Sequence, residues 1–176
     1  QRFYPVMPLE QAAKIVRQGL QTPDARYLND QTTDLVDTHS LRSQGFDVGE
    51  VAGACFCCNF NELTSTVEKL GEKEWPEIIL AEPVGSCTDL VATVTYPLRR
   101  IYGDRFSIAP LSVLVDPQRA LRVLGLAEGR GFSDKVTYIF RKQLEEADLI
   151  VVNKRDTLCD DEFERLASAL RLAFPH

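Results

Sequence analysis

The fold class of this chain is indicated most directly by one stretch, Leu149-Ile150-Val151-Val152-Asn153-Lys154-Arg155-Asp156. Its first four residues are a continuous apolar run, which is typical of a strand buried on both faces of a parallel sheet. The next four residues are polar, and in open α/β sheets ligands bind beyond the carboxyl ends of the strands. The stretch therefore predicts a buried strand that ends in a binding loop.

Short apolar runs alternate with helical patterns along the rest of the chain, as expected for βαβ units and a parallel sheet. The predicted strands are residues 25–29, 48–52, 77–82, 108–116 and 148–153. The predicted helices are residues 8–19, 33–44, 59–71, 88–102, 134–147 and 160–173, with a single helical turn at 117–124. We expect an α/β three-layer sandwich with a mostly parallel sheet, in one domain over residues 1–176.

Several of the predicted helices have side chains suited to capping their first turn. Asn59 is predicted to cap the helix after it, with Glu62 completing a capping box. The predicted start residues of the last two helices are Ser133 or Asp134 for the first and Asp160 or Asp161 for the second.

Composition restricts the function classes. The 176 residues carry 26 acidic and 20 basic side chains and a net charge of −6, which argues against nucleic acid as the main partner. The sequence has no apolar run near the roughly 20 residues that cross a bilayer, so no membrane partner is expected. Five cysteines, three of them crowded, fit a reducing cytoplasm better than a disulfide framework. Because the chain starts at Gln1 and stops at His176, we expect a fragment of the fold, incomplete at both ends.

Three cysteines lie within four residues, in Gly53-Ala54-Cys55-Phe56-Cys57-Cys58. Their thiolates can converge on one soft or borderline metal ion, although the spacing matches no zinc-finger pattern. Two other interpretations stay open, namely small buried hydrophobic residues and a thiol redox site. Cys87 is close enough to be a fourth thiolate, but a buried structural cysteine is the favoured interpretation. Glu50 could supply an oxygen ligand, with a solvated charge as the simpler interpretation.

Polar residues also follow other predicted strands, at Asp30, Asp116 and Glu82-Pro83-Val84-Gly85. Glu82 can hold Mg²⁺ directly or through water. Gly85 lets a backbone N–H approach a phosphate closely. In the loop that follows residue 152, Asp156 can accept two hydrogen bonds from guanine, which adenine cannot offer. Asn153 can brace that loop, and the aliphatic part of Lys154 can cover the purine face.

The cysteine loop, the Glu82 loop and the Asn-Lys-x-Asp loop occur here in the order found in the metallochaperone GTPases. That family includes the CobW proteins and the urease and hydrogenase accessory proteins, and this chain resembles the CobW-like branch most, from about residue 27 to 157. The resemblance implies a P-loop NTPase-like fold with GTP or GDP, Mg²⁺ and a transition metal as ligands. Its metal would be Zn²⁺, or Co²⁺ or Ni²⁺, and its partner a client metalloprotein, with a homodimer also allowed.

The same resemblance implies a role for each site residue. Cys55, Cys57 and Cys58 would bind the transition metal. Glu82 would be the family's catalytic glutamate, near Mg²⁺ and the γ-phosphate. Asp30, an acidic candidate similar to Glu82, and Gly85 are predicted nucleotide contacts from their own positions after strands. Asn153, Lys154 and Asp156 would select guanine, and hydrolysis would couple the nucleotide state to metal release.

One motif of that family is absent from the sequence. No Gly-x-x-x-x-Gly-Lys-Ser/Thr stretch, whose amides and lysine cradle phosphates, occurs in the 176 residues. We therefore expect weak GTP binding and slow or no hydrolysis by this chain. The alternative function is a non-catalytic metal-binding or interaction module on a degenerate nucleotide fold, and a thiol redox protein is a third hypothesis.

Overall fold

A computed structural model describes residues 7–8, 25–31, 36–52, 55–72, 75–76, 78–104 and 107–175. It divides the chain into two compact units. We call residues 15–97 the central unit, and residues 1–14 with 98–176 the C-terminal unit. The single domain over residues 1–176 stays a prediction.

The described strands and helices alternate along the chain. The strands are β1 (Met7–Pro8), β2 (Ala25–Gln31), β3 (Asp47–Ala52), β4 (Ile78–Glu82), β5 (Ser112–Val115) and β6 (Leu149–Val152). The α-helices are α1 (Val36–Ser43), α2 (Phe60–Leu70), α3 (Tyr96–Tyr102), α4 (Pro117–Val123), α5 (Asp134–Glu146) and α6 (Asp160–Ala173). A π-helical turn at Val91–Thr95 precedes α3, and a 3-10 turn at Arg155–Thr157 follows β6.

The described strands form two three-stranded sheets, one in each unit, and every pairing in them is parallel. The order is β3-β2-β4 in the central unit and β1-β6-β5 in the C-terminal unit. The predicted α/β class with parallel pairing is confirmed. The predicted single sheet is instead described as these two.

The apolar core of the C-terminal unit surrounds β6, the middle strand of its sheet. Residues 150–152 are buried, as the apolar run predicts. The buried side chains of this core come from β5, α4, α5 and α6, and from the residue after α6. They include Val115, Leu121, Phe140, Leu144, Phe163, Leu166, Leu170 and Phe174. A buried middle strand places the loop after Val152 at the rim of a rigid core.

Three predicted boundaries differ from the structure because of local backbone chemistry. The strand predicted at 108–116 is only Ser112–Val115, since Pro110 has no N–H to donate to a ladder. In the segment predicted as a helix over 88–102, residue 90 is the first helical residue, because Asp89 has φ 60°, outside the right-handed helical region. The predicted helix 8–19 is wrong at Pro8, which lies in β1, and its other residues are outside the described part.

The π-helical turn is explained by Pro97, two residues after its end. Pro97 cannot donate a backbone hydrogen bond, and its ring crowds the carbonyl four residues earlier. Widening of the helix at Val91–Thr95 separates these groups before α3 continues as a normal helix. The sequence pattern predicted a regular helix here. The turn predicted at 117–124 is, conversely, a seven-residue helix.

Helix capping was predicted correctly at one start and wrongly at two. Ser133 Oγ accepts a hydrogen bond from Val136 N at 3.4 Å, which confirms the serine as the cap of α5. Asn59 makes no side-chain capping bond, and its backbone angles (φ −126°, ψ 51°) depart from the extended conformation usual at a capping position. In α6 the capping position is Cys159, whose N–H donates to Glu162 Oε2 at 3.0 Å, so neither predicted aspartate caps that helix.

Candidate functional site

The parallel register of the central sheet brings three strand ends to one edge. Gln31 in β2 pairs with Ala52 in β3, and Asn29 pairs with Glu82 in β4. The chain continues from Ala52 into the cysteine loop and from Glu82 into the loop that contains Gly85. Asp30 lies on β2 between the two paired positions, at the same edge by register. These loops therefore begin at the same end of the sheet, on either side of β2.

A tight turn shapes the cysteine loop. The carbonyl of Cys55 accepts hydrogen bonds from Cys58 N at 3.0 Å and Asn59 N at 2.9 Å. Phe56, at the middle of the turn, is only 2% exposed and anchors the loop in the apolar interior. With Phe56 buried, Cys55 and Cys57 stay half-buried and Cys58 is exposed. The turn thus keeps all three sulfurs near the surface.

The three sulfur atoms lie together. Cys55 Sγ and Cys57 Sγ are 2.9 Å apart, and Cys57 Sγ and Cys58 Sγ are 3.8 Å apart. All three lie within 4.8 Å of one another. A Zn–S distance of about 2.3 Å would place the sulfurs of a tetrahedral site about 3.8 Å apart. The Cys57–Cys58 separation matches this value, whereas the Cys55–Cys57 separation is shorter and would widen around a bound ion. The three converging thiols form a donor set for a thiophilic ion, as the sequence predicts.

Electrostatics within the cluster favour one thiolate and oppose more. Hydrogen bonds from Cys57 and Cys58 lower the pKa of Cys55 to about 7. The hydrogen bonds to Cys55 and Cys57 and their charges raise the pKa of Cys58 to about 11. A bound cation reverses this repulsion, because it stabilises each additional thiolate. The cluster is therefore suited to bind a divalent ion with release of protons to solvent.

The loop after β4 exposes the residues expected near a nucleotide. Glu82 ends the strand with an exposed side chain. Gly85 is also exposed, and an added Cβ there would meet no atom within 4 Å. Within the central unit the loop bends close to the cysteines, since Cys87 Sγ is 4.0 Å from Cys57 Sγ. The sequence located Cys87 in the loop after Glu82 as a candidate fourth thiolate, and the structure gives its distance from Cys57.

The environment of the Glu50 side chain differs from the one predicted from the sequence. Its side chain on β3 is 14% exposed, and its Oε2 lies 3.7 Å from the guanidinium of Arg42. Its Oε1 is buried without a hydrogen-bond partner among the described residues. The simpler interpretation as a solvated charge is therefore wrong.

In the C-terminal unit, the loop after β6 is braced by its own side chains. Asn153 N donates to Val115 O at 2.9 Å, and Asn153 Oδ1 accepts from Lys154 N at 2.7 Å. Lys154 has φ 51°, a left-handed conformation that costs energy in a non-glycine residue. Asp156 lies in the following 3-10 turn with an exposed side chain. The asparagine thus holds a strained turn that exposes the aspartate.

Lys154, after β6, forms an ion pair with Asp116, after the neighbouring strand β5. Lys154 Nζ is 3.0 Å from Asp116 Oδ2, while Asp116 Oδ1 accepts from Arg119 N at 3.0 Å and caps α4. These two donors, Lys154 first, lower the pKa of Asp116. The sequence indicated both residues at strand ends. Their pairing follows from β5 and β6 being neighbours.

Comparison with known proteins identifies the family. Residues 19–173 match the family model described as "CobW/HypB/UreG, nucleotide-binding domain". No significant match was found among curated proteins or among solved structures. Among the described residues, no helix is long and apolar enough to cross a bilayer. The parallel sheets and flanking helices fit the P-loop NTPase-like fold, and the family is a nucleotide-binding one of metallochaperone type. The match covers most of the chain, and the chain belongs to the CobW/HypB/UreG nucleotide-binding domain family.

Proposed function

We propose that this chain is a GTP-binding metallochaperone domain that couples guanine-nucleotide state to the binding and delivery of a transition metal. The observation that carries the proposal is the convergence of Cys55, Cys57 and Cys58, whose sulfurs lie within 4.8 Å of one another. The metal is cargo, and its recipient is a client metalloprotein in the cytoplasm. We include a homodimer in the proposal, and we propose neither a nucleic acid nor a membrane as a partner.

The cargo we propose is Zn²⁺, with Co²⁺ or Ni²⁺ as competitors. Thiolates suit zinc, and affinity alone does not exclude the other ions, because cellular availability also decides occupancy. As each sulfur binds, its proton leaves to solvent. The partly exposed position of the cluster leaves room for the ion to pass to a recipient.

Metal competition with a coloured chelator tests this part of the proposal. Cys57 lies between the other two sulfurs, so Cys57→Ser should weaken Zn²⁺ binding at least about tenfold. The matched control is Cys159→Ser, since Cys159 is an exposed thiol at the start of α6 in the other unit. Unchanged Zn²⁺ affinity in Cys57→Ser, or equal loss in both variants, would contradict the thiolate site.

For the nucleotide, we propose that Asp156 accepts hydrogen bonds from guanine while Asn153 braces the loop and Lys154 covers the base. The left-handed turn at Lys154 and the exposed Asp156 support this assignment. Glu82, Asp30 and Gly85 would contact Mg²⁺ and the phosphates, with Glu82 as the catalytic residue if hydrolysis occurs. Gly85 suits a close contact, because its backbone has open space around it.

Calorimetric titration with Mg²⁺-GTP and Mg²⁺-ATP tests guanine recognition. We expect weak binding with a preference for GTP, and Asp156→Ala should remove that preference. Asp161→Ala, which changes another exposed aspartate in the C-terminal unit, is the control and should keep it. An Asp156→Ala variant with unchanged selectivity would contradict the assignment.

A second candidate is a non-catalytic metal-binding or interaction module. It is favoured by the sequence itself, which contains no Gly-x-x-x-x-Gly-Lys-Ser/Thr stretch to hold phosphates. Tight Zn²⁺ binding together with no detectable nucleotide binding would support this candidate over the first. Reversible oxidation of the cysteines without metal binding would instead support a thiol redox protein.

A further inference from the structure

Cys87 lies on the loop after β4, about thirty residues from the cysteine loop in the chain but beside it in the central unit. A turn closed by Cys87 N donating to Val84 O at 2.9 Å directs this residue inward. Its side chain is only 6% exposed. A buried structural cysteine ordinarily contacts apolar carbon atoms. The Cys87 thiol, by contrast, faces other sulfurs.

The contact of Cys87 Sγ with Cys57 Sγ has the spacing of metal ligands. Cys57 Sγ lies 4.0 Å from Cys87 Sγ and 3.8 Å from Cys58 Sγ. Both distances are close to the edge of about 3.8 Å expected between the sulfurs of a tetrahedral zinc site. Cys87 also shares a side-chain hydrogen bond with Cys55. The fourth sulfur therefore contacts two members of the three-cysteine cluster.

We propose that Cys87 is a fourth thiolate ligand, which completes a tetrahedral four-sulfur metal site with Cys55, Cys57 and Cys58. This inference deepens the proposed function and rests on its metal-binding part. Four thiolates close the coordination sphere, whereas three would leave a position for solvent. On binding, each thiol gives its proton to solvent and its sulfur donates an electron pair to the ion.

The fourth ligand has a structural consequence, because it comes from a different loop. Three ligands follow β3, and the fourth follows β4 beyond Glu82 and Gly85. A bound ion therefore fastens the Glu82–Cys87 segment to the cysteine loop. Movement of that segment would remove one ligand and open the site. Metal transfer would then begin with the departure of Cys87 and finish as the recipient's ligands replace Cys55, Cys57 and Cys58.

X-ray absorption of the Zn²⁺-loaded full chain tests the ligand count directly. We expect four sulfur neighbours in the wild type and three, with one oxygen or nitrogen, in both Cys87→Ser and Cys87→Ala. Cys159→Ser should keep four. Circular dichroism shows whether each variant is folded. The wild-type spectrum does not depend on any variant folding.

The outcomes separate this inference from the proposed function. Three sulfurs in the wild type, or no change in Cys87→Ser, would overturn the fourth ligand while leaving the metal site intact. Absence of Zn²⁺ binding in the wild type would overturn both. Charge-transfer absorption of the Co²⁺-loaded protein should fall in proportion to the lost thiolate. Cys87→Ser should also weaken Zn²⁺ at least about tenfold.

Hydrogen exchange supplies a second readout that a merely packed cysteine would not affect. Zn²⁺ should slow amide exchange at residues 83–89 in the wild type. In Cys87→Ala the same ion should still slow exchange at residues 55–59 but no longer at residues 83–89. Equal Zn²⁺-dependent protection of residues 83–89 in both proteins would overturn the link between the loops.

Discussion

The two units of this chain bury different kinds of groups. In the C-terminal unit, described apolar side chains pack around β6, and the polar loop at the strand's end is paired internally through Lys154 and Asp116. In the central unit, buried polar atoms of Thr38 and Glu50 have no hydrogen-bond partner among the described residues. Its three clustered sulfurs lie within 4.8 Å of one another.

The difference between the units indicates where a bound ligand would add most to stability. Groups that are already paired gain little from an added ligand, because binding would first have to break an existing contact. Clustered thiols repel one another once charged, so a cation relieves an unfavourable interaction that the fold maintains. We therefore expect packing to dominate the stability of the C-terminal unit and metal to dominate that of the central unit.

The largest expected effect is on packing in the C-terminal unit. Leu166 on α6 is fully buried, so Leu166→Ala should lower the free energy of unfolding by about 2–5 kcal/mol in urea denaturation. Leu172→Ala on the same helix, where the side chain is 84% exposed, should change it by less than about 0.5 kcal/mol. Equal effects would contradict the described core. Zn²⁺ affinity retained in Leu166→Ala would sharpen the contrast between the units.

Metal should stabilise the central unit selectively. An ion that binds only the folded state at roughly 100 times its Kd adds about 2.7 kcal/mol. Hydrogen exchange should therefore slow across β3 and α2 when Zn²⁺ is added, and chelation should reverse this. Exchange in α5 and α6 should change little. Equal protection of both units would remove the distinction drawn between them.

A smaller effect is expected where β3 and α2 meet in the central unit. A Cβ on Gly49 would lie 2.6 Å from Thr66 Cγ2 and 3.2 Å from Leu70 Cδ1. Gly49→Ala should therefore cost about 1–3 kcal/mol, measured by thermal or urea unfolding. Gly131→Ala is the matched control, since an added Cβ there meets no atom within 4 Å. A neutral Gly49→Ala would contradict the close approach of strand and helix.

The smallest effect is electrostatic and depends on pH. Lys154 lowers the pKa of Asp116 in the folded protein, so the pair stabilises the fold above the unfolded aspartate pKa of about 3.9 and loses this contribution as pH falls. Asp116→Asn keeps the cap and should cost below about 1 kcal/mol at pH 7, because the pair is exposed. Its difference from wild type should shrink towards acid pH.

Asp116→Ala separates the cap from the ion pair. It removes the acceptor for Arg119 N as well, so it should cost about 1 kcal/mol more than the asparagine variant. Urea titrations at several pH values compare the three proteins. A difference between wild type and Asp116→Asn that grows on acidification would contradict the sign of the pKa shift.

Helices with strong local signals were predicted well. The helix predicted at 160–173 coincides with α6, and that at 134–147 ends one residue beyond α5. Their apolar periodicity and start signals act within a few residues, which sequence reasoning captures. Strand β5 and the π-helical turn were predicted less well. Nearby prolines interrupt backbone hydrogen bonding there, and the hydrophobic pattern does not register this.

The candidate site divides in the same way. Neighbouring cysteines share a turn, so their convergence was predictable from Cys55-Phe56-Cys57-Cys58 alone. Glu50 was not, because its burial depends on α1, which supplies Arg42, and on β2 beside β3. The assignments of Asp30, Glu82, Gly85, Asn153, Lys154 and Asp156 to nucleotide contacts stay predictions.

The α/β class, the thiol chemistry of residues 55–58 and the polar loop after β6 could all be predicted from the sequence, since each depends on residues adjacent in the chain. Tertiary structure alone decided the pairing of Lys154 with Asp116 and the approach of Cys87 to Cys57. Both contacts join loops that follow different strands. Strand order and register set such distances, and these depend on the packing of the whole unit.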